Sequence, residues 1–226
     1  MSERALIVTG ATGGLGTEVV RSLVRDYRCI ALYHSKDGFD ELREALGGGD
    51  NLEGLPADLS IESNVREAIR KAAAGGPIYG LVHLAGGYAS GSVSETTTET
   101  WSKMIGLNLT SAFLAIRETL AVMDRTKPGR IIAISSEAAR TRAGGSAAYT
   151  VSKSGLSLLV ELLAEELNGT PITANAIEPA SLDTPAMRKS MDRSKLVPLS
   201  RVVDTISFLL SDAGASVSGA RVPLRP

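Results

Sequence analysis

At 226 residues the chain is sized for one large α/β domain, and its 43% hydrophobic content supplies a core and argues against disorder. Its 24 basic and 25 acidic residues leave no basic excess, which speaks against a nucleic-acid partner. The single Cys29 excludes an internal disulfide and a cysteine-based zinc cluster and reads as a small buried apolar residue, so no metal site is expected.

In chain order, Ala5-Leu6-Ile7-Val8 reads as a strand, followed by a glycine turn and a helix from Gly14 to about Asp26. Arg28 to Tyr33 and Leu52 to Ala57 are the next strands, and Ser60 to Ala74 a helix with Ser60 and Ser63 or Asn64 as capping candidates. Leu81 to Ala85 reads as the fourth strand; a helix opens near Thr97, and another runs from about Asn108 to Met123. Arg130 to Ser135 is a fifth strand, Tyr149 to Leu167 a long helix, and Ile172 to Ile177 a sixth strand. Ser200 to Leu210 looks helical, and Ala220 to Pro223 a last edge strand. The strands are continuous apolar runs, the pattern of a parallel sheet covered on both faces. Alternation with helices implies right-handed βαβ units: one doubly wound, Rossmann-type α/β domain over 1–226, with a mainly parallel sheet of about seven strands. No signal-peptide core and no run long enough to span a bilayer is seen, so a cytoplasmic protein with no membrane partner is expected. The helix from Tyr149 is apolar on more than one stripe (Val151, Leu156, Leu158, Leu159, Leu162), which suggests a symmetric partner subunit.

The first strand runs into Thr9-Gly10-Ala11-Thr12-Gly13-Gly14-Leu15-Gly16. Glycines let a backbone turn tightly and approach a pyrophosphate, and the helix start offers amide donors and a positive dipole end. This context implies a nucleotide site. The second strand ends Tyr33-His34-Ser35-Lys36, with no acid before Asp37. A carboxylate there would bind the ribose hydroxyl of NAD; Lys36, His34 and Ser35 instead suit a 2′-phosphate, so NADP(H) is expected over NAD(H). Asp58, followed by Leu59, is placed to accept from an adenine amino group or to cap a helix.

Tyr149 and Lys153 stand one helical turn apart on one face, and Ser136 ends the strand before them. A neighbouring ammonium favours the phenolate, which eases proton exchange near neutral pH. A strand-end hydroxyl can hydrogen-bond the oxygen that gains charge as a carbonyl is reduced.

Together Thr9-Gly10-x-x-x-Gly14-x-Gly16, Asp58-Leu59, Ala85-Gly86-Gly87, Asn108, Ser136, Tyr149-x-x-x-Lys153 and the segment Pro179 to Thr184 resemble the short-chain dehydrogenase/reductase family over nearly the whole chain. The resemblance implies an oxidoreductase that moves hydride between a nicotinamide and a carbonyl or alcohol on a small-molecule substrate. Tyr149 would be general acid or base, and Lys153 would lower its pKa and hold the nicotinamide ribose. Ser136 would orient the substrate oxygen, and Asn108 would anchor a water leading to the lysine. Pro179, Ala180, Leu182 and Thr184 would meet the nicotinamide, a short substrate loop would follow at about 184–198, and the enzyme would be a homo-dimer or homo-tetramer. Two features depart from the family: His83-Leu84 stand where asparagine is usual, and Pro179-Ala180 replaces Pro-Gly; His83 is expected to be structural. Leu182-Asp183-Thr184-Pro185 with Ala85-Gly86-Gly87-Tyr88 also resembles dihydropteridine reductases, which keeps a pterin-type substrate as an alternative. A non-catalytic NADP(H)-sensing protein is the alternative of another class. Arg140 and Arg142 are candidate contacts for an anionic substrate.

Overall fold

The computed structural model describes residues 4–142 and 144–226. Met1, Ser2 and Glu3, read as the approach to the first strand, lie outside them. Among the described residues the strands are β1 (Ala5–Thr9), β2 (Arg28–Tyr33), β3 (Leu52–Pro56), β4 (Ile78–His83), β5 (Gly129–Ile134), β6 (Ile172–Pro179) and β7 (Arg221–Leu224). They form one sheet in the order β3-β2-β1-β4-β5-β6-β7, every neighbouring pair parallel. The order runs outward from β1 on one side and from β4 on the other. Right-handed crossovers therefore leave a crevice at the carboxyl ends of β1 and β4, where such sheets bind ligands.

Successive side chains on a strand point to opposite faces, and both faces here are covered. Ile7, Ile30, Leu81 and Ile131 pack on one side with α3 (Glu62–Ala74), α5 (Ser111–Val122) and α7 (Ala147–Glu166). Leu6, Val8, Cys29, Val82 and Ile132 pack on the other with α1 (Gly14–Leu23), α2 (Lys36–Ala45) and α8 (Leu199–Leu210). This double burial is why the strands read as unbroken apolar runs.

Several boundaries differ from the sequence reading. The fourth strand is Ile78–His83, earlier than Leu81 to Ala85, because the chain must leave the sheet at Leu84 to pass Gly10. A Cβ on Gly10 would lie 2.7 Å from the Ala85 nitrogen. The sequence reading has no helix at α2, where only Phe39 and Leu42 are buried and the apolar periodicity is thin. Ser60 does not cap α3: its hydroxyl turns back to Asp58 at 2.6 Å, and Ile61 stands at the N-cap with no side-chain bond. The expected pair of helices after Thr97 is one continuous run: α4 (Thr98–Ile105), a π-helical turn (Gly106–Thr110), then α5. By length and composition this 25-residue run could cross a membrane, yet Ala112, Leu114, Ala115 and Ile116 are buried within the core. On its outer side Phe113 is exposed, as are Leu158 and Leu162 of α7.

Candidate active site

The glycine turn fills the crevice between β1 and β4. Gly10 sits at φ +66, in the left-handed region that glycine adopts without strain. Gly16 is tighter still, since a Cβ there would come within 2.1 Å of the Gly10 carbonyl oxygen. Gly13 stands at the N-cap of α1 in an extended conformation, with no side chain blocking the free amides of the first turn. Gly14 faces the far wall, where a Cβ would lie 3.9 Å from the Thr184 methyl. Leu15 is half-buried against the α1 side of the core. The cradle is thus open backbone at a helix start, which fits a pyrophosphate.

At the end of β2, Ser35 caps α2, accepting from the Gly38 amide at 3.4 Å. Thr12 faces this first turn, 3.6 Å from where a Gly38 Cβ would stand. Lys36 is exposed and paired with Asp40, which holds its ammonium above the usual lysine range. Tyr33 stacks on Phe39, ring centroids 5.0 Å apart. His34 is exposed beside Asp58. The Asp58 carboxylate accepts from both the amide and the hydroxyl of Ser60, which keeps it below the usual carboxylate range, and Leu59 packs on the core.

Across the crevice, α7 presents Tyr149 and Lys153 on one face toward Ser136. Burial raises the Tyr149 phenol above its ordinary value, while a hydrogen bond with Ser136 pulls it down and the nearby Tyr88 pushes it up. Lys153 is 5% exposed, and burial lowers its ammonium to about 8. Its Nζ donates to the Ile134 carbonyl at 2.8 Å. At Tyr149 burial outweighs the other influences, and the Lys153 amine is turned to the end of β5. Ser136 also accepts from the Ala138 amide at 3.2 Å, which fixes its hydroxyl at the start of α6 (Ala138–Thr141).

Asn108, fully buried in the π turn, accepts from the Gly87 amide at 2.8 Å and donates to the Gly87 carbonyl and the Ser152 hydroxyl at 3.0 Å each. Its carboxamide is a clamp on the loop after β4. Gly86 lies between: a Cβ there would meet Asn108 Oδ1 at 2.6 Å and Lys153 Nζ at 3.1 Å. The structure thus brings Gly86, Gly87, Asn108 and Lys153 together, and Ser136 with Tyr149.

The model of the short chain dehydrogenase family matches residues 4–195. The chain belongs to the short-chain dehydrogenase/reductase family. It is 29% identical, over 98% of its length and 91% of the relative's, to the 3-oxoacyl-[acyl-carrier-protein] reductase MabA of Mycobacterium tuberculosis. It is 30% identical, over 94% and 88% of the two chains, to a putative ketoacyl reductase of the granaticin polyketide synthase of Streptomyces violaceoruber. A variant of actinorhodin polyketide ketoreductase solved with NADPH superposes with a TM-score of 0.90, at 25% identity, over 99% of this chain and 95% of that one. The protein is accordingly an oxidoreductase of the CH-OH/C=O class that uses a nicotinamide nucleotide.

Within this short-chain dehydrogenase, His83 is wholly buried and bonded through Nδ1 to Thr9 Oγ1 at 2.9 Å. Burial, with the nearby Lys153 charge, lowers its pKa to about 3, so it is neutral, and its Nε2 finds no partner among the described residues. It ties β1 to β4 beneath the cradle. A second support went unnoticed in the sequence. The Ser135 hydroxyl donates to the Lys153 carbonyl at 2.9 Å and meets Ser157, which donates to Glu178 at 2.7 Å. Glu178, fully buried, is also paired with Arg221 of β7 at 2.7 Å. Glu137, next to Ser136, takes Arg140 at 3.1 Å and Arg225 at 3.2 Å. The Ser135-Ser136 doublet was the visible signal; Glu178 carried none. Arg140 is thus committed to ion pairs, and Arg142 sits exposed at φ 54.

After β6, the Glu137 amide donates to the Pro179 carbonyl at 2.9 Å and the Ala180 amide to Leu224 at 2.9 Å. The loop after β6 closes where Leu182 bridges Val197, and the Asp183 carboxylate holds Arg188 at 2.5 Å and Arg193 at 2.9 Å, which keeps it below the usual carboxylate range. Thr184 caps the turn that follows, accepting from the Met187 amide at 3.3 Å.

Proposed function

We propose that the protein reduces a ketone with hydride from NADPH, or oxidises the corresponding alcohol, with Tyr149 as the proton-transfer group. The carrying observation is the meeting of Tyr149 with Ser136 beside a crevice whose other wall is the open glycine cradle. Gly10, Thr12, Gly13, Gly14, Leu15 and Gly16 would hold the pyrophosphate. Tyr33, His34, Ser35 and Lys36 would receive the adenosine phosphate, with Asp58 and Leu59 at the adenine. Ala85, Gly86 and Gly87 would line the ribose, Lys153 would bond it, and Pro179, Ala180, Leu182 and Thr184 would receive the nicotinamide. When bound, the nucleotide supplies a hydride. Ser136 donates to the substrate oxygen as it gains charge, and Tyr149, kept protonated by burial, delivers the proton. Lys153 then stabilises the phenolate as the amine turns from Ile134 toward it. Asn108 fixes the Gly86-Gly87 wall, and a water path to the lysine would use its main chain.

Preference for the 2′-phosphate rests on the α2 start: a capped helix N-terminus, Lys36 and no carboxylate before Asp37. A ketone is favoured over a pterin because a serine, Ser136, stands by the Tyr149 phenol and a similar protein is named a 3-oxoacyl reductase. The exposed side of α5 and α7, with Phe113, Leu158 and Leu162, supports assembly of two or four copies, and the protein is read as cytoplasmic. Titration with NADPH followed by a ketone panel tests the activity. Oxidation of NADPH dependent on Tyr149 is the expected result; binding without turnover on any ketone would make the protein a nucleotide sensor.

A further inference from the structure

Tyr88 follows the Gly86-Gly87 wall and is 66% exposed, an unusual setting for a large aromatic ring. Its ring lies edge-to-face with that of Tyr149, centroids 5.0 Å apart and planes at 71°. The backbone holds this arrangement. The Gly91 amide donates to the Gly145 carbonyl at 2.8 Å, and the Ala147 amide donates to the Gly91 carbonyl at 2.8 Å. Gly91 also bridges Ser146, so the loop bearing Tyr88 is stitched to the first turn of the helix bearing Tyr149. The contact with Tyr149 leaves the residue two-thirds exposed, so the ring has surface free beside the phenol.

We propose that Tyr88 is a specificity-determining residue, the aromatic wall against which a planar aryl or conjugated substituent of the substrate lies while Tyr149 and Ser136 reach its carbonyl oxygen. This rests on the ketone-reductase reading. A flat π-system gains an aromatic contact beyond the area it buries, whereas a saturated group of the same size gains area alone. The difference amounts to about a three- to tenfold preference.

The test compares acetophenone with cyclohexyl methyl ketone on the NADPH-loaded enzyme. Replacing Tyr88 by leucine (Tyr88→Leu) should raise KM for acetophenone about three- to tenfold and shift the cyclohexyl ketone by less than about twofold, with kcat nearly unchanged on both. Tyr88→Phe, which keeps the ring, should behave as wild type. Should Tyr88→Leu fail to fold, Tyr88→Ser, suited to an exposed position, should give the same split. Equal shifts on both ketones, no shift, or an effect confined to kcat overturns the proposal while leaving the reductase reading intact. A wild-type protein that reduces the cyclohexyl ketone and not acetophenone overturns the proposal alone, and one that binds NADPH but reduces no ketone of the panel overturns both readings before any substitution is made.

Discussion

The two walls of the crevice are built on different principles. The wall from β1 is made of backbone: Gly10 and Gly16 matter for the side chains they lack, with clearances of 2.7 and 2.1 Å to neighbouring main chain. The wall from β5 and α7 is made of side chains, where Ser136, Tyr149 and Lys153 occupy ordinary backbone and are aimed by hydrogen bonds. A backbone wall cannot yield without moving the sheet. A side-chain wall can lose its chemistry and keep its shape.

Substitutions should separate the two walls. Gly16→Ala forces a Cβ into the Gly10 carbonyl and should abolish saturable NADPH binding and lower the yield of folded protein, read by fluorescence titration and circular dichroism. Tyr149→Phe should reduce kcat by about 10²- to 10⁴-fold and leave the NADPH Kd unchanged; lost affinity would merge the walls into one cooperative site. Because burial keeps the Tyr149 phenol protonated, the reductive rate should stay flat through neutral pH. The oxidative rate, which needs the phenolate, should climb as pH rises. Lys36→Glu, at the rim of the backbone wall, should weaken NADPH about tenfold and NADH hardly at all; equal effects would remove Lys36 from the phosphate site. The smallest effect is expected beneath both walls. The His83 pKa is near 3 in the folded chain, below its unfolded value of about 6.5. The unfolded state alone gains that proton, so stability is full above about 6.5 and falls as pH drops toward about 3. Urea midpoints across this window should fall less steeply for His83→Asn than for wild type.

The sheet was legible in the sequence because its strands are buried on both faces, and the glycine cradle because its spacing encodes a backbone shape. Tyr149, Lys153 and Ser136 were legible as residue types whose chemistry needs one another. The sequence was silent where position depends on a fold-level turn. The left-handed Gly10 ends β4 early at His83, and Asn108 clamps Gly87 because a π turn aims its carboxamide there. The burial of Tyr149 and Lys153 was not legible, because spacing reports that a lysine is near and says nothing of how deeply either is buried. α2 went unread because two buried side chains make too faint a stripe.

Glu178 has reach beyond its own strand. It joins Arg221 of the last strand to Ser157 on α7, while Glu137 beside Ser136 holds Arg225. The sheet's outer edge is therefore a latch on Ser135 and Glu137, the two residues that flank Ser136. On the reading proposed above, slackening that edge would slow turnover, so the last strand would serve the catalyst as well as the scaffold.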